Sequence, residues 1–233
     1  MLEVRDLHSF YGDAHILHGV DIDVPDGRVV ALLGRNGMGK TTLIRSIMGL
    51  PSVRVARGTV RYNGDDLRGE EPHVIAQKRI GLVPQGRRLF PSLTVTEHLS
   101  MLPSAHLSTW DKDRVFNTFP RLAERRHHYG SQLSGGERQM LAVARALRLD
   151  PKLLLMDEPS EGLAPVLVQQ LEMIIADLGR TGISILLVEQ NLYSALAVAQ
   201  DVCILETGRV VYRGTPDQLR NDPDNMHKFL GVA

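Results

Sequence analysis

Hydrophobic and polar residues alternate early in the chain. Over residues 20–24 three apolar side chains are separated by two aspartates, which is the pattern of a strand with one buried face. Residues 29–33 instead form an unbroken apolar run, as expected of a strand that is buried on both faces. A glycine-rich segment follows, and residues 40–48 then predict a helix. Residues 58–64 predict another strand, which ends in an Asn-Gly turn.

The last third of the chain alternates between strand and helix signals. Residues 153–156 and 183–188 are apolar runs typical of buried strands. Between them, Pro165 suits the first turn of a helix. We predict that four residues at helical spacing form the buried face of this helix: Leu167, Leu171, Ile174 and Leu178. The alternation predicts an α/β fold in which helices cover a mainly parallel sheet.

A hairpin is predicted near the end of the chain. Residues 202–205 and 209–212 are apolar-rich segments separated by Glu206-Thr207-Gly208. A short turn that ends in glycine between two such segments is typical of two antiparallel strands.

The middle of the chain has a different pattern. From about residue 86 to residue 132, apolar residues are scattered among polar ones without alternation, and three prolines interrupt the segment. Residues 133–137, Leu-Ser-Gly-Gly-Glu, then begin a segment whose apolar side chains recur at helical spacing. The sequence therefore predicts a mainly helical insertion between the strand-rich parts.

Composition narrows the class of protein. The chain has 233 residues, of which 43% are hydrophobic and 23% are charged, which is typical of a folded globular chain and excludes a disordered or fibrous one. Its 27 basic and 27 acidic residues cancel, so no excess of positive charge favours nucleic acid as a partner. The longest apolar runs have five residues, whereas a membrane span needs about 20. We therefore expect a soluble protein that acts at a membrane only through partners.

Nine histidines raise the question of a metal site. Their positions in the sequence do not converge on a ligand set, so a histidine metal site is not favoured. We expect His15 and His18 to lie in a surface loop.

Residues 34–41 carry the most specific chemical signal. They read Gly-Arg-Asn-Gly-Met-Gly-Lys-Thr, the G-x-x-x-x-G-K-[ST] motif of a phosphate-binding loop, between a predicted strand and a predicted helix. Backbone N–H groups of such a loop converge on phosphate oxygens at a helix N-terminus. Lys40 can reach the β- and γ-phosphates, and the Thr41 hydroxyl can bind Mg²⁺. The predicted nucleotide-binding residues are Gly34, Arg35, Asn36, Gly37, Met38, Gly39, Lys40, Thr41 and Thr42.

Two carboxylates supply the second part of this predicted site. The apolar run at 153–156 ends in Asp157 and Glu158, which places them at the carboxyl edge of the sheet, where open α/β sheets bind ligands. Asp157 suits the coordination shell of Mg²⁺, and Glu158 suits a general base that accepts a proton from an attacking water. Because side chains alternate along a strand, the two carboxylates can have different roles.

Ser134, Gly135 and Gly136 allow two interpretations. They could form a second anion site at the start of a helix. Equally, Ser134 and Glu137 have the spacing of an ordinary capping box. The residues alone do not decide between the two.

Taken in order, these motifs resemble those of the ATP-binding cassette (ABC) ATPases, and the resemblance spans nearly the whole chain. The set consists of Tyr11-Gly12, the loop at 34–41, Gln85 after Val83-Pro84, Leu-Ser-Gly-Gly-Glu at 133–137, and Asp157-Glu158. The resemblance implies two subunits packed head to tail, with ATP held between the phosphate loop of one and residues 133–137 of the other. Ser134 and Gly136, with Gly135 between them, would then face the γ-phosphate bound to the partner.

The same resemblance implies roles for single residues. Tyr11 would stack on adenine, and Gln85 would lie near Mg²⁺ and the attacking water. Gln190 occupies the position of a histidine in most of the family, and it can donate a hydrogen bond to a γ-phosphate oxygen without becoming cationic. The implied catalytic set is Glu158, Gln85 and Gln190, and the implied Mg²⁺ set is Thr41, Gln85 and Asp157. Ala164 replaces an aspartate that most of the family has in the loop between the subunits.

The resemblance also implies the domain organisation. A P-loop NTPase core of the RecA-like type would consist of 1–85 and 151–233, with an N-terminal antiparallel β subdomain. A helical subdomain at 86–150 would carry the 133–137 segment and dock on membrane-spanning subunits. All 233 residues would then form a single ABC ATPase domain.

Four segments are similar to one branch of the family: 87–90, 119–122, 159–165 and 186–191. This branch contains the ATPase subunits of bacterial importers for branched-chain and related hydrophobic amino acids, and also of urea and short-amide importers. Such complexes typically pair two different ATPase subunits with two permeases and a periplasmic or lipid-anchored binding protein. For this chain, a homodimer and a heterodimer both stay open. The chain, short and without an extended C-terminal tail, resembles the second ATPase of such a pair, peripheral on the cytoplasmic face of the inner membrane.

Two rival functions stay open at this point. One is an ABC module that acts on ribosomes or nucleic acid without transport, which the single cassette and the neutral charge disfavour. The other is a regulatory subunit that binds ATP without turnover, which the intact Glu158 disfavours.

Overall fold

The computed structural model describes residues 1–101, 109–226 and 228. The strands are β1 Leu2–Tyr11, β2 Ala14–Val24, β3 Val29–Leu33, β4 Arg54–Tyr62, β5 Asp65–Asp66, β6 Ile80–Val83, β7 Leu153–Asp157, β8 Ser184–Glu189, β9 Asp201–Glu206 and β10 Arg209–Gly214. The helices are α1 Lys40–Ile47, α2 Pro72–Gln77, α3 Val95–Ser100, α4 Lys112–Thr118, α5 Pro120–Glu124, α6 Gly135–Leu147, α7 Pro165–Arg180, α8 Leu192–Val198, α9 Pro216–Arg220 and α10 Pro223–Asn225.

The central sheet has the strand order β10-β9-β3-β8-β7-β6. The strands from β9 to β6 are parallel, and β10 pairs antiparallel with β9 at one edge. The predicted hairpin is confirmed, and both residues of its turn, Thr207 and Gly208, have positive φ, as a tight two-residue turn requires. The predicted α/β fold with a mainly parallel sheet is confirmed.

The apolar runs predicted as buried strands are buried on both faces. Every residue of β3, β7 and β8 is buried. In β7, Leu153 and Leu155 pack with α1 and the N-terminal strands, whereas Leu154 and Met156 pack with α6 and α7. Because both faces of this strand are buried in apolar cores, its sequence does not alternate between apolar and polar residues.

The second sheet is antiparallel, with the strand order β2-β1-β4-β5. The three apolar side chains predicted to face the core from 20–24 are fully buried. The expectation for His15 and His18 was wrong, since both lie within β2. β2 extends back to Ala14 because it pairs with β1 as far as Tyr11.

Between β6 and β7 the described residues form α3 to α6 and a 3₁₀ turn at Gly130–Gln132. Residues 102–108 of the predicted insertion lie outside the described residues, and its limits at 86 and 150 stay a prediction. The apolar face predicted for α6 is buried. None of the helices in the described ranges combines the length and the apolar character needed to span a bilayer.

The predicted face of α7 was partly wrong. Its buried residues are Leu171, Ile175 and Leu178, while Leu167 and Ile174 are half-buried. The rotation of the helix is set by its neighbours: Leu167 lies against Gly136 of α6, at a position where a Cβ on that glycine would collide with it.

Candidate active site

The phosphate loop and the two carboxylates meet at the carboxyl edge of the central sheet. β3 leads into the loop, α1 begins at Lys40, and β7 ends at Asp157. A cavity of about 400 Å³ lies between the loop and the turn that joins β1 to β2. Nine of the predicted site residues line it: Tyr11, Asn36, Gly37, Gly39, Lys40, Thr41, Thr42, Gln85 and Glu158.

Close approaches to the loop explain two of its glycines. A Cβ on Gly34 would lie 2.5 Å from the backbone oxygen of Leu205. Gly39 has φ +102°, and a Cβ there would lie 2.8 Å from Cδ2 of Leu17. A larger residue at either position would therefore displace the loop from β9 or from β2.

The loop is also tied to the β9–β10 turn. The backbone oxygen of Met38 accepts a hydrogen bond from Gly208 N at 3.0 Å. Met38 Sδ accepts a second one from Thr207 N at 3.2 Å. These contacts place Met38 against the hairpin rather than in the cavity.

Lys40 is a buried cation with its partners in place. Its side chain is 3% exposed, and Nζ forms an ion pair with Glu158 Oε1 at 3.0 Å. Nζ also donates to the backbone oxygens of Gly34, at 2.8 Å, and Arg35, at 3.1 Å. A buried ammonium needs such partners, because the loss of hydration is costly.

Glu158 has an unusual backbone conformation. Its φ is +47°, in the left-handed region that costs a non-glycine residue roughly 1–2 kcal/mol. Its N–H donates to Val188 O at 2.9 Å, and its carboxylate pairs with Lys40. These contacts turn the side chain from the end of β7 into the cavity.

Thr41 lines the cavity, whereas Asp157 is buried and is joined to it through Thr41. Thr41 Oγ1 donates to Asp157 Oδ1 at 3.1 Å. Burial raises the pKa of Asp157 to about 6, the Thr41 hydrogen bond opposes that shift, and the neighbouring Glu158 adds to it. A hydroxyl and a buried carboxylate are ligands that Mg²⁺ prefers, and Mg²⁺ is usually held by one or two protein ligands together with phosphates. The residues present therefore fit Mg²⁺ bound with a nucleotide.

A metal site made by the protein alone is a different case. Among the residues that the structure describes, no group of three or more His, Cys, Asp or Glu side chains is arranged to hold a metal ion.

Gln85 joins two carboxylates. Its Nε2 donates to Glu158 Oε2 and to Glu161 Oε2, both at 3.0 Å. Arg87 Nη2 donates to the backbone oxygen of Glu161 at 3.3 Å. Glu161 carries no signal in the sequence, because its approach to Gln85 depends on the pairing of β6 with β7.

Gln190 lies next to this cavity and not in its lining. It is exposed just beyond β8 and lines a second cavity of about 350 Å³, together with Ser160, Glu161 and Glu189. Glu158 lines both cavities. The structure therefore brings Gln190 to the far side of Glu158.

Residues 134–136 are placed elsewhere. Ser134 Oγ accepts from Glu137 N at 3.2 Å, and Ser134 N donates to Glu137 Oε2 at 2.8 Å, so the capping box is formed. Ser134 and Gly136 line a separate cavity of about 400 Å³ beside α7, and Gly135 lies near the guanidinium of Arg87. The structure therefore does not bring Ser134 or Gly136 to the lining of the first cavity.

Tyr11 has a partner that the sequence did not reveal. Arg45 of α1 donates from Nη1 to the Tyr11 hydroxyl, and its guanidinium carbon lies 5.7 Å from the ring centroid. Of this pair, Tyr11 lines the cavity. Arg45 is one helical turn beyond Thr41, a spacing that carries no signal of its own.

Comparison with known proteins gives one family. A family model described as ABC transporter matches residues 17–161. The chain is 42% identical, over 99% of its length and 100% of the relative, to the high-affinity branched-chain amino acid transport ATP-binding protein BraG of Pseudomonas aeruginosa. It is 36% identical, over the full length of both, to the probable branched-chain amino acid transport ATP-binding protein LivF of Archaeoglobus fulgidus.

A solved structure of an ATP-binding subunit of an ABC transporter is similar in sequence and in fold. It is 31% identical, covers 99% of this chain and 96% of its own, and superposes with a TM-score of 0.82. The full-length matches agree with the order of motifs and with the geometry of the cavity, and the chain therefore belongs to the ABC transporter ATP-binding family, as an ABC ATPase.

Proposed function

We propose that this chain hydrolyses ATP to drive the import of branched-chain or other hydrophobic amino acids. The observation that carries the proposal is the cavity lined by Lys40, Thr41 and Glu158, with the Asp157 carboxylate bonded to the Thr41 hydroxyl. The amino acid class is supported by the 42% identity to BraG over the whole chain. Urea or short amides are the alternative cargo.

Phosphate binding would change the partner of Lys40. The loop N–H groups and the Lys40 ammonium bind the β- and γ-phosphates of ATP, with Tyr11 stacked on adenine. A phosphate oxygen on Lys40 replaces the Glu158 carboxylate, which now forms the ion pair at 3.0 Å. Glu158 is then released to accept a proton from the attacking water.

The remaining residues complete the site. Thr41, Asp157 and Gln85 would hold Mg²⁺, which supplies positive charge to the β- and γ-phosphate oxygens. Gln85, bonded to Glu158 at 3.0 Å, orients the base. Gln190 donates a hydrogen bond to a γ-phosphate oxygen from the other side of Glu158.

The full assembly would contain two ATPase chains. Ser134, Gly135 and Gly136 of each chain contact the nucleotide of the other, in a homo- or heterodimer. The dimer binds two membrane-spanning permeases on the cytoplasmic face of the inner membrane, and the complex receives its cargo from a periplasmic or lipid-anchored binding protein. Nucleic acid has no part in this function.

Two substitutions test the proposed chemistry. Glu158→Gln removes the base and keeps the phosphate loop, so we expect ATP affinity within about twofold of wild type and a loss of at least roughly a hundredfold in kcat, the scale of general-base catalysis. Lys40→Ala should weaken ATP binding itself. Titration with a fluorescent ATP analogue and a phosphate-release assay measure both. An unchanged steady-state rate in Glu158→Gln would refute the role of the base.

A purification tests the transport role. The wild-type chain, tagged and expressed in its source cells, should be recovered from membranes with two permease chains. Recovery with ribosomes or DNA would instead favour an ABC module without a transport function. Uptake of radiolabelled leucine, compared with urea, by cells that carry Glu158→Gln distinguishes the two cargo classes.

A further inference from the structure

Glu189 is a buried carboxylate to which the mechanism above gives no role. It is the last residue of β8 and is 3% exposed. Oε1 accepts a hydrogen bond from Ser160 N at 3.0 Å, and Oε2 accepts from Gln190 N at 3.2 Å and from Asn191 N at 3.4 Å. Burial raises the pKa of Glu189, while a hydrogen bond from the Ser160 side chain and these backbone hydrogen bonds favour the ionised form. Three backbone donors thus offset the cost of placing a carboxylate here.

The two oxygens of this carboxylate bind two different loops. One loop follows β7 and contains Glu158, Ser160 and Glu161. The other follows β8 and contains Gln190 and Asn191. The two loops are also joined by Glu158 N, which donates to Val188 O at 2.9 Å. The Glu189 side chain adds a second link between the two loops, from Ser160 to Gln190, and we call this link the Glu189 bridge.

We infer that Glu189 is a positioning residue that holds Gln190 at a fixed place relative to Glu158. The inference rests on the roles proposed above for those two residues. Glu189 contacts the backbone of each loop and lines the second cavity, beyond Glu158. A displacement of Gln190 is therefore transmitted to Ser160, and from there to the loop in which Glu161 bonds Gln85.

The chemistry of the position explains why a carboxylate is needed. An ionised carboxylate only accepts hydrogen bonds, and here both of its oxygens face N–H donors. Glutamine has nearly the same shape, but its amide places one N–H₂ group against those donors. Glu189→Gln thus breaks one half of the bridge with little change in volume.

The first test is a double-mutant cycle on the intact protein, in the complex with its permeases if the chain alone is inactive. We expect Glu189→Gln to lower kcat about tenfold and to leave ATP affinity within about twofold of wild type, because it moves a catalytic group without touching the nucleotide. The double variant Glu189→Gln/Gln190→Ala should lose less kcat than the product of the two single losses, because the two residues act together. A double variant slowed by that full product would overturn the inference, as would a wild-type rate in Glu189→Gln.

Ser184→Ala is the matched control. Ser184 is the first residue of the same strand, is 5% exposed, and accepts from Gly27 N at 2.9 Å through Oγ. Ser184 lies at the opposite end of β8 from the site. The loss of kcat in the double variant Ser184→Ala/Gln190→Ala should therefore equal the product of the two single losses. If the Ser184 pair deviates from the product as much as the Glu189 pair, the coupling is a general effect of strand packing and the inference is wrong.

A second measurement does not depend on activity. In Glu189→Gln the backbone amides of Ser160, Gln190 and Asn191 should exchange with deuterium at least about tenfold faster, and that of Gly27 should be unchanged. Ser184→Ala should give the reverse pattern. If Glu189→Gln does not fold, Glu189→Asp, which is one methylene shorter, replaces it in both experiments. Wild-type protection of the Ser160 amide would refute the bridge.

The outcomes separate this inference from the proposed function. A full rate in Glu158→Gln, or nucleotide binding that ignores Lys40, contradicts the catalytic site and involves no change at Glu189. A wild-type rate in Gln190→Ala contradicts the role proposed above for Gln190 as well as the inference. A wild-type rate in Glu189→Gln, with Gln190→Ala slowed, contradicts the inference alone and leaves the proposed ATPase site in place.

Discussion

Tyr11 owes its position to a contact with Arg45, whose guanidinium donates to the hydroxyl and lies over the ring. The hydroxyl thus bonds to the protein, and the ring is the part that faces the cavity. Stacking of a base on an aromatic ring is worth about 1–3 kcal/mol. The part of the ATP-binding free energy that comes from adenine stacking should therefore depend on the Tyr11 ring and not on its hydroxyl.

Tyr11→Ala should weaken ATP binding roughly tenfold, the lower part of that stacking energy. Tyr11→Phe is the matched variant, because it keeps the ring and loses only the bond to Arg45, and its affinity should stay within about twofold of wild type. Titration with a fluorescent ATP analogue measures both. Equal losses in the two variants would show that the hydroxyl, and not the ring, contacts the nucleotide.

On the scale of secondary-structure elements, α3 is joined to the segment after Gln85 through one buried histidine. His98 Nε2 accepts from Phe90 N at 3.0 Å, and Nδ1 donates to Thr94 O at 2.8 Å. Only the neutral ring can accept the first of these bonds. Burial lowers the pKa of His98, Arg145 lowers it further, and the Thr94 bond and Glu97 oppose the shift.

The sign of the pH effect follows from that lowered pKa. Above the ordinary value of about 6.5 the ring is neutral in both the folded and the unfolded chain, and stability does not depend on it. As pH falls below that value, the unfolded chain gains a proton that the folded chain does not, so the free energy of unfolding decreases. His98→Asn removes this contribution.

Urea unfolding at pH 7.5, 6.5 and 5.5 should show wild type losing stability more steeply than His98→Asn. The exposed His127, changed to Asn, is the control and should follow wild type. Parallel curves for wild type and His98→Asn would contradict a neutral, buried His98.

The elements that the sequence predicted are those with local signals. β3 and β7 follow from unbroken apolar runs, and the phosphate loop follows from a motif of eight residues. The face of α7 was partly wrong because Ile175 is buried in the core while Ile174 is only half-buried at its edge, and helix rotation depends on neighbours such as Gly136. The bridge from Glu189 to Ser160 needs β7 and β8 to be adjacent and in register. An acidic residue at the end of a second apolar run was nevertheless a signal, as it was for Asp157.

At the scale of the whole molecule, the phosphate loop and the 134–136 segment lie at separate cavities. The phosphate loop lies at one cavity, and Ser134 lies at another, beside α7. In a head-to-tail dimer each nucleotide would contact one half from each chain. In such a dimer, activity would depend on which chains pair.

A mixing experiment tests this dependence. Lys40→Ala weakens ATP binding at the loop of its own chain. In the proposed dimer, Ser134→Glu would place a negative charge at the γ-phosphate bound to the partner. We therefore expect each variant alone to be inactive. When equal amounts are mixed, half of the dimers that form at random contain one chain of each kind, and each of these has one intact site. About a quarter of the wild-type rate should return. Full activity of Ser134→Glu alone would show that each chain works by itself. A third outcome is that mixing restores no activity and the wild-type chain hydrolyses ATP only after a different ATPase subunit is added. This outcome would identify the working pair as a heterodimer.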